Sequence, residues 1–209
     1  MYVLVADDHP IVREGLKQIV MKMEEVSKVD EALDGHEAMT LIEKNKYDLV
    51  ILDISMPGLS GLDILKTMKE RNEKAHILIL SIHPQEQYAI RALKLGASGY
   101  LCKESINEEL LSAIKKIAAG GIYISATMAE NIALDINDDR DKLPHEKLSQ
   151  REFQIMYMLA KGKSVKEIAG ELFLSDKTVS TYRMRLLKKM GMKNNSEIIY
   201  YALKNNLIE

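Results

Sequence analysis

Three acids, one hydroxyl, one phenol and one lysine stand in or at the ends of short apolar runs in this chain. Leu49-Val50-Ile51-Leu52 runs without alternation into Asp53, and Tyr2-Val3-Leu4-Val5-Ala6 runs into Asp7-Asp8. Leu78-Ile79-Leu80 stops at Ser81, and Gly99-Tyr100-Leu101-Cys102 stops at Lys103. An unalternated apolar run of this length is the pattern of a parallel strand buried on both faces. Open α/β sheets do their chemistry at the C-terminal edge of such strands. If the strands are neighbours, the three carboxylates converge, and like charges that close raise each other's pKa unless a cation joins them. Oxygen donors in that number suit Mg²⁺, which takes one or two carboxylates, several waters and phosphate oxygens. A lysine and a hydroxyl suit phosphoryl oxygens. The set reads as a metal-assisted phosphoryl acceptor with one of the acids as nucleophile.

The elements that must position this set are legible from periodicity. Strand-like runs cover 2–6, 49–52, 77–80 and 98–102, with a weaker one near 26–33. Helical patterns cover 10–22, 36–45, 61–70, 86–95 and 107–118. Five alternations of strand and helix predict an α/β, doubly wound, five-stranded parallel sheet. Ile54-Ser55-Met56-Pro57-Gly58 breaks the third strand into a loop, which sets Asp53 at a mouth. Ser105-Ile106-Asn107-Glu108 has the spacing of a capping box opening the last helix. Taken singly, the groups are bland: an Asp-Asp pair suits a solvated turn, Lys103 a surface, Tyr100 a core. Their joint spacing carries the reading, and Glu70 and Glu86 stay solvated surface charges.

Composition limits the function classes. Hydrophobic residues make up 46% and charged residues 29% of the 209, as in soluble globular proteins. No apolar run approaches the ~18 residues that span a bilayer, and the apolar start meets acids too soon for a signal peptide. The single cysteine, Cys102, excludes an internal disulfide and a multi-cysteine zinc site. A reducing cytoplasm follows as the expected compartment, with Cys102 a small buried residue. The net charge of −2 conceals an asymmetry: residues 146–209 hold 12 Lys and Arg against seven Asp and Glu, a balance of +5, which leaves −7 for residues 1–145. A basic C-terminal part faces a polyanion.

Gly120-Gly121 closes the fifth helix. A linker over 119–145 follows, with a short helix from Ser125 to Leu134 and a polar tether from Asp135 to Lys147. From 146 onward an all-α unit of four helices is predicted. Ser149-Gln150-Arg151-Glu152 and Ser164-Val165-Lys166-Glu167 are capping boxes. Ser175 caps the third helix, after a short apolar turn at Leu172-Phe173-Leu174, and Asn194-Asn195-Ser196 opens the fourth. A tight turn between short helices suggests helix-turn-helix. At about 100° per residue, Val179, Leu186 and Met190 share the core side of the third helix. Lys177, Thr181, Met184 and Lys188 face outward beside Thr178, Ser180 and Arg185, as in a helix lying in a major groove. Arg183 falls nearer the core, where a phosphate or an acid is its partner. On charge pattern alone, this helix is a solvated amphipathic one.

Residues 1–118 resemble the receiver domain of two-component response regulators through Asp7-Asp8, Asp53 followed by Met56-Pro57-Gly58 and Gly61, then Ser81, Tyr100 and Lys103. The resemblance implies a flavodoxin-like sheet of order 2-1-3-4-5 and phosphorylation of Asp53 by a sensor histidine kinase. It also implies Mg²⁺ held by Asp8, Asp53 and the backbone carbonyl of Ser55, with Asp7 acting through water. Lys103 and Ser81 would hold phosphoryl oxygens, and Ser81 and Tyr100 would be the switch. Residues 148–208 resemble the LuxR type of DNA-binding domain through Leu148-Ser149-Gln150-Arg151-Glu152, Lys161-Gly162-Lys163-Ser164, Lys166-Glu167-Ile168-Ala169, Thr178-Val179 and Lys189-Met190-Gly191, with Tyr182 in place of the commoner histidine. Receiver, linker and this domain in that order resemble the NarL/FixJ class. That implies a cytoplasmic transcription regulator, not an enzyme beyond its own phosphorylation and dephosphorylation. It would form a homodimer on phosphorylation and bind double-stranded DNA at paired half-sites, with RNA polymerase a further partner and no membrane. Two departures stand out. Ile82 follows Ser81 where the family has a small residue, and Glu104 follows Lys103 where proline is frequent. Two other functions compete. An aspartyl-phosphate phosphatase needs a second acid close behind the nucleophile, and Ser55 stands there instead. A regulator that binds DNA without phosphorylation would not need the full acid set.

Overall fold

The computed structural model describes residues 1–81, 86–125, 129, 143–205 and 207–208. The chain divides into two compact units, Met1–Asn137 and Asp138–Glu209.

The first unit alternates strand and helix: β1 (Tyr2–Ala6), α1 (Pro10–Val20), β2 (Lys28–Ala32), α2 (Gly35–Lys44), β3 (Leu49–Asp53), α3 (Gly61–Glu70), β4 (His76–Ser81), α4 (Glu86–Lys94), β5 (Gly99–Cys102) and α5 (Ile106–Ala118). All pairings are parallel, in the order β2-β1-β3-β4-β5. The central strand β3 is buried at every position, as its unbroken apolar run requires. Val3, Val5, Leu49, Ile51, Leu78 and Leu80 pack with Leu110, Ile114 and Ile117 of α5 on one side of the sheet. The weak second strand is polar because it lies at the sheet edge. Its Glu31 bonds Arg13 and Lys17 of α1, and its Asp30 accepts from Tyr2 and Tyr47.

Register decides which residues meet at the C-terminal edge. Ala6 pairs with Leu52, so Asp7 and Asp53 follow in step. Asp53 pairs with Leu80, and Ser81 pairs with Cys102, so Ser81 and Lys103 come next at the same edge.

Two local expectations are corrected. Ser105 makes no side-chain cap, because the chain enters α5 through a 3₁₀ turn at Lys103–Ser105 and leaves Ser105 at φ −97°, ψ 6°, not extended. Cys102 is partly exposed, since the last residue of an edge strand lacks cover on one side. Residues after α5 return to the sheet: the Tyr100 N–H donates to the Tyr123 carbonyl, and the Tyr123 N–H to that of Ser98.

The second unit contains α6 (Gln150–Ala160), α7 (Val165–Glu171), α8 (Asp176–Met190) and α9 (Asn195–Lys204). Capping boxes at Ser149 and Ser164 form as the spacing predicts, and Ser175 and Asn194 cap α8 and α9. Pro144–Lys147, read as tether, is a 3₁₀ turn whose buried His145 meets Tyr201 at 2.7 Å through Nδ1. The turn before α8 is not wholly apolar in function: Leu172 is buried, but Phe173 is 68% exposed at φ 52°. Most of the predicted 125–134 helix, much of the tether, and Ile82 lie outside the described residues. The Ala129 N–H bonds the Ser125 carbonyl.

Gly61 and Gly15 separate packing from propensity. A Cβ on Gly61 would meet the Asp53 carbonyl oxygen at 2.3 Å, whereas one on Gly15 meets nothing. Gly61→Ala is expected to destabilise by about 1–3 kcal/mol. Gly15→Ala, inside α1, should stabilise by about 0.5–1 kcal/mol. Urea unfolding of the two variants checks both signs.

Candidate functional site

The edge built by register is buried and charged. Asp7 and Asp53 are almost wholly enclosed, and the Lys103 Nζ lies 2.7 Å from Asp7 Oδ2 and 3.0 Å from Asp53 Oδ2. A 3₁₀ turn at Lys103–Ser105, with Glu104 as its second residue, delivers this lysine after β5. Burial opposes the charge on Lys103, but Asp53 and Asp7 outweigh burial and hold its pKa above the ordinary lysine value. The balance is opposite at Asp53. Burial pushes its carboxyl up to about 6; Lys103 and a backbone hydrogen bond from Ser55 work against that, and the Asp7 carboxylate adds to it. Both partners of one pair are thus raised, because desolvation dominates at the acid and attraction at the base.

Asp8 completes the acid set. Its partner is His9, a residue the sequence reading passed over: Nδ1 is 2.8 Å from Asp8 Oδ1 and 3.3 Å from Asp7 Oδ1. The signal was a nitrogen donor directly beside an acid pair. Asp7 Oδ2, Asp8 Oδ1 and Asp53 Oδ2 are buried without a hydrogen bond of good geometry. Donor atoms of Asp7, Asp8, His9 and Asp53 lie within 4.8 Å of one another. Three carboxylates gathered so closely offer the hard oxygen donors that fit a small divalent cation such as Mg²⁺. Ser81, on β4 next to Asp53's strand, and Tyr100, one strand further out on β5, are both buried. Burial raises the Tyr100 phenol, and a hydrogen bond with Ser81 works against that rise.

On α8 the predicted split holds. Val179, Leu186 and Met190 are buried; Lys177, Arg185 and Lys188 are exposed, and Met184 is 62% exposed. Thr178, Ser180 and Thr181 are half-buried, with the Thr181 hydroxyl donating to the Lys177 carbonyl. Arg183 is half-buried, and its Nε donates to Asn195 Oδ1 at 2.7 Å, tying α8 to α9. Lys189 was also missed as a structural group. Its Nζ reaches the buried Glu152 at 2.6 Å. Burial would raise that carboxyl, but the bonds from Lys189 and Ser149 outweigh it and hold it below the ordinary glutamate value.

Residues 3–115 match the response regulator receiver domain, and residues 146–202 match the luxR family of bacterial regulatory proteins. The chain belongs to the NarL/FixJ class of two-component response regulators. This regulator is 34% identical over 206 residues to response regulator UvrY of Escherichia coli K12, across 98% of its own length and 94% of the relative. It is 36% identical over 218 residues to oxygen regulatory protein NreC of Staphylococcus carnosus TM300, across the full length of both. Among solved structures, RcsB of Salmonella enterica serovar Typhimurium, bound to promoter rprA in the presence of the phosphomimetic BeF3-, aligns with TM-score 0.67 and 26% identity, over 96% of this chain and 97% of that one. No helix among the described residues is long and apolar enough to cross a membrane.

The raised Asp53 carboxyl makes a signed prediction. A carboxyl raised on folding costs stability as pH rises from its ordinary value through about 6. Two units correspond to roughly 3 kcal/mol at most. In EDTA, Asp53→Asn should gain about 1–3 kcal/mol at pH 8 and close to nothing at pH 4. Equal gains at both pH values would remove the ionisation of a buried Asp53 as the cause.

Proposed function

We propose that this regulator takes a phosphoryl group on Asp53 from a sensor histidine kinase, and that phosphorylation switches dimerisation and DNA binding. In this reading residues 1–118 are the phosphoacceptor domain, 119–145 the linker and 146–209 the DNA-binding domain. The observation that supports it most is the bridge from Lys103 to both Asp7 and Asp53, with the Asp8 carboxylate beside them. Asp53 is the nucleophile: one carboxylate oxygen bonds phosphorus as the P–N bond of the kinase's phosphohistidine breaks. Lys103 then holds a phosphoryl oxygen in place of one carboxylate. Asp8, Asp53 and the Ser55 carbonyl would hold Mg²⁺, with Asp7 acting through water. When bound, Mg²⁺ supplies positive charge to the phosphoryl oxygens. Ser81 exchanges its bond with Tyr100 for one to the phosphoryl group, and the Tyr100 ring adjusts behind it. The cytoplasm is the proposed compartment.

Acetyl phosphate with Mg²⁺ tests the chemistry directly. The wild-type chain should gain the mass of one phosphoryl group. Asp53→Asn should gain none, and Asp8→Ala should lose metal-dependent labelling while keeping its circular dichroism. Full labelling of Asp53→Asn would put the acceptor elsewhere.

For DNA, the exposed cations and the apolar tips of α8 divide the work. RcsB was solved on promoter DNA and as dimers bound to DNA, and the same binding to paired half-sites as a homodimer is proposed here, with RNA polymerase a further partner. Lys177 and Lys188 contact phosphates, with Arg185 beside them; Thr178 and Ser180 flank the bases. Thr181, its hydroxyl proton already given to Lys177, presents its methyl, and Met184 its thioether, to thymine methyls. Lys177→Ala and Lys188→Ala should weaken all sequences alike and lower the salt slope by about one each. Thr181→Ala and Met184→Ala should relax preference by roughly 1 kcal/mol at one base pair and leave the slope unchanged. Salt titrations on a selected site and on random DNA measure both. A changed slope for Met184→Ala would mean the helix is rotated differently in the groove.

A further inference from the structure

We infer that His9 is a further ligand of the acidic pocket and biases it toward divalent ions that accept imidazole nitrogen, Mn²⁺, Co²⁺ and Zn²⁺, beyond Mg²⁺. The inference rests on the metal reading of Asp7, Asp8 and Asp53 given above.

His9 occupies the N-cap of α1, with Pro10 next, but its side chain caps nothing. Its backbone N–H donates instead to Asp7 Oδ1 at 2.9 Å, which pins the residue against the pocket. The ring is 63% exposed, yet its Nδ1 turns back to Asp8 Oδ1 and Asp7 Oδ1. Lys103 approaches Asp7 from the other oxygen, Oδ2. The two nitrogens therefore divide the Asp7 carboxylate, with lysine on the Asp53 side and imidazole on the Asp8 side.

The spacings are those of one coordination shell. Around an octahedral ion with bonds near 2.0–2.1 Å, adjacent ligand atoms lie roughly 2.9 Å apart and opposite ones roughly 4.2 Å. The separations of 2.8 and 3.3 Å from Nδ1 to the two acid oxygens match adjacent positions. The buried Asp7 and Asp53 bring donor atoms within 4.8 Å of those of Asp8 and His9, while their Oδ2 atoms flank the Lys103 Nζ. Mg²⁺ binds through oxygen and keeps its waters, so it leaves the imidazole outside its shell. Mn²⁺, Co²⁺ and Zn²⁺ accept imidazole, with affinity rising along the divalent series.

The test is Mn²⁺ titration of the full chain, followed by electron paramagnetic resonance. Loss of the free-ion signal reports binding, and spin-echo modulation from nitrogen-14 reports a nitrogen ligand. Wild type should show that modulation. His9→Gln should lose it and bind Mn²⁺ roughly tenfold more weakly, with Mg²⁺ affinity within about twofold. Bound Mn²⁺ without nitrogen modulation in the wild type, or an unchanged ratio of Mn²⁺ to Mg²⁺ affinity in His9→Gln, overturns the role of His9 alone. Mn²⁺ binding that Asp8→Ala leaves unchanged puts the ion outside the pocket and overturns the metal reading with it.

Discussion

Three carboxylates crowded at one edge of a sheet need positive charge, and one lysine supplies it. Lys103 lies between Asp7 and Asp53, and the register of four strands brings these groups together. The arrangement is under electrostatic load, since burial keeps Asp53 harder to ionise than a free aspartate despite the lysine beside it. One ammonium against three carboxylates leaves the site short of positive charge. The fold supplies the rigidity that such loading requires: Asp53 closes a fully buried strand, and Gly61 lets the start of α3 pack directly on the Asp53 carbonyl.

The second unit uses the same economy on a smaller scale. A single oxygen of Glu152, Oε2, accepts from the Ser149 N–H at the start of α6 and from Lys189 in the last turn of α8. The helix that presents the outward cations is thus fixed through a residue that also starts another helix. Arg183 adds a second tie, to Asn195 at the start of α9. A buried charge of this kind is costly to leave unpaired, so the angle of α8 is held by polar as well as apolar contacts.

Much of this was legible in the sequence where the signal is local. Apolar runs ending in Asp7, Asp53, Ser81 and Lys103 gave the strands and their chemical ends, and three-residue spacing gave the capping boxes at Ser149 and Ser164. What stayed hidden depends on distance along the chain or on backbone detail. Glu152 and Lys189 stand too far apart for any periodicity to join them. Arg183 found an amide on a neighbouring helix, where charge patterning looks for acids or phosphates. Ser105 had the right spacing for a capping box, but a 3₁₀ entry set its backbone against the cap. The polar strand β2 was faint because an edge strand satisfies its charges through neighbours, here Arg13 and Lys17, and not through apolar content.

The return of the chain after α5 determines where the first unit structurally ends. Main-chain bonds between Tyr123 and both Ser98 and Tyr100 cover the outer side of β5. Tyr123 thus covers the start of the last strand's outer flank, while the end of that strand, at Cys102, stays an edge. A receiver cut at Ala118 would expose the amide of Tyr100 and the carbonyl of Ser98 on a short apolar strand, an invitation to pair with another chain. One that continues through Tyr123 carries its own cover. The first residues of the connection to the DNA-binding domain are therefore a guard against self-association as well as a tether.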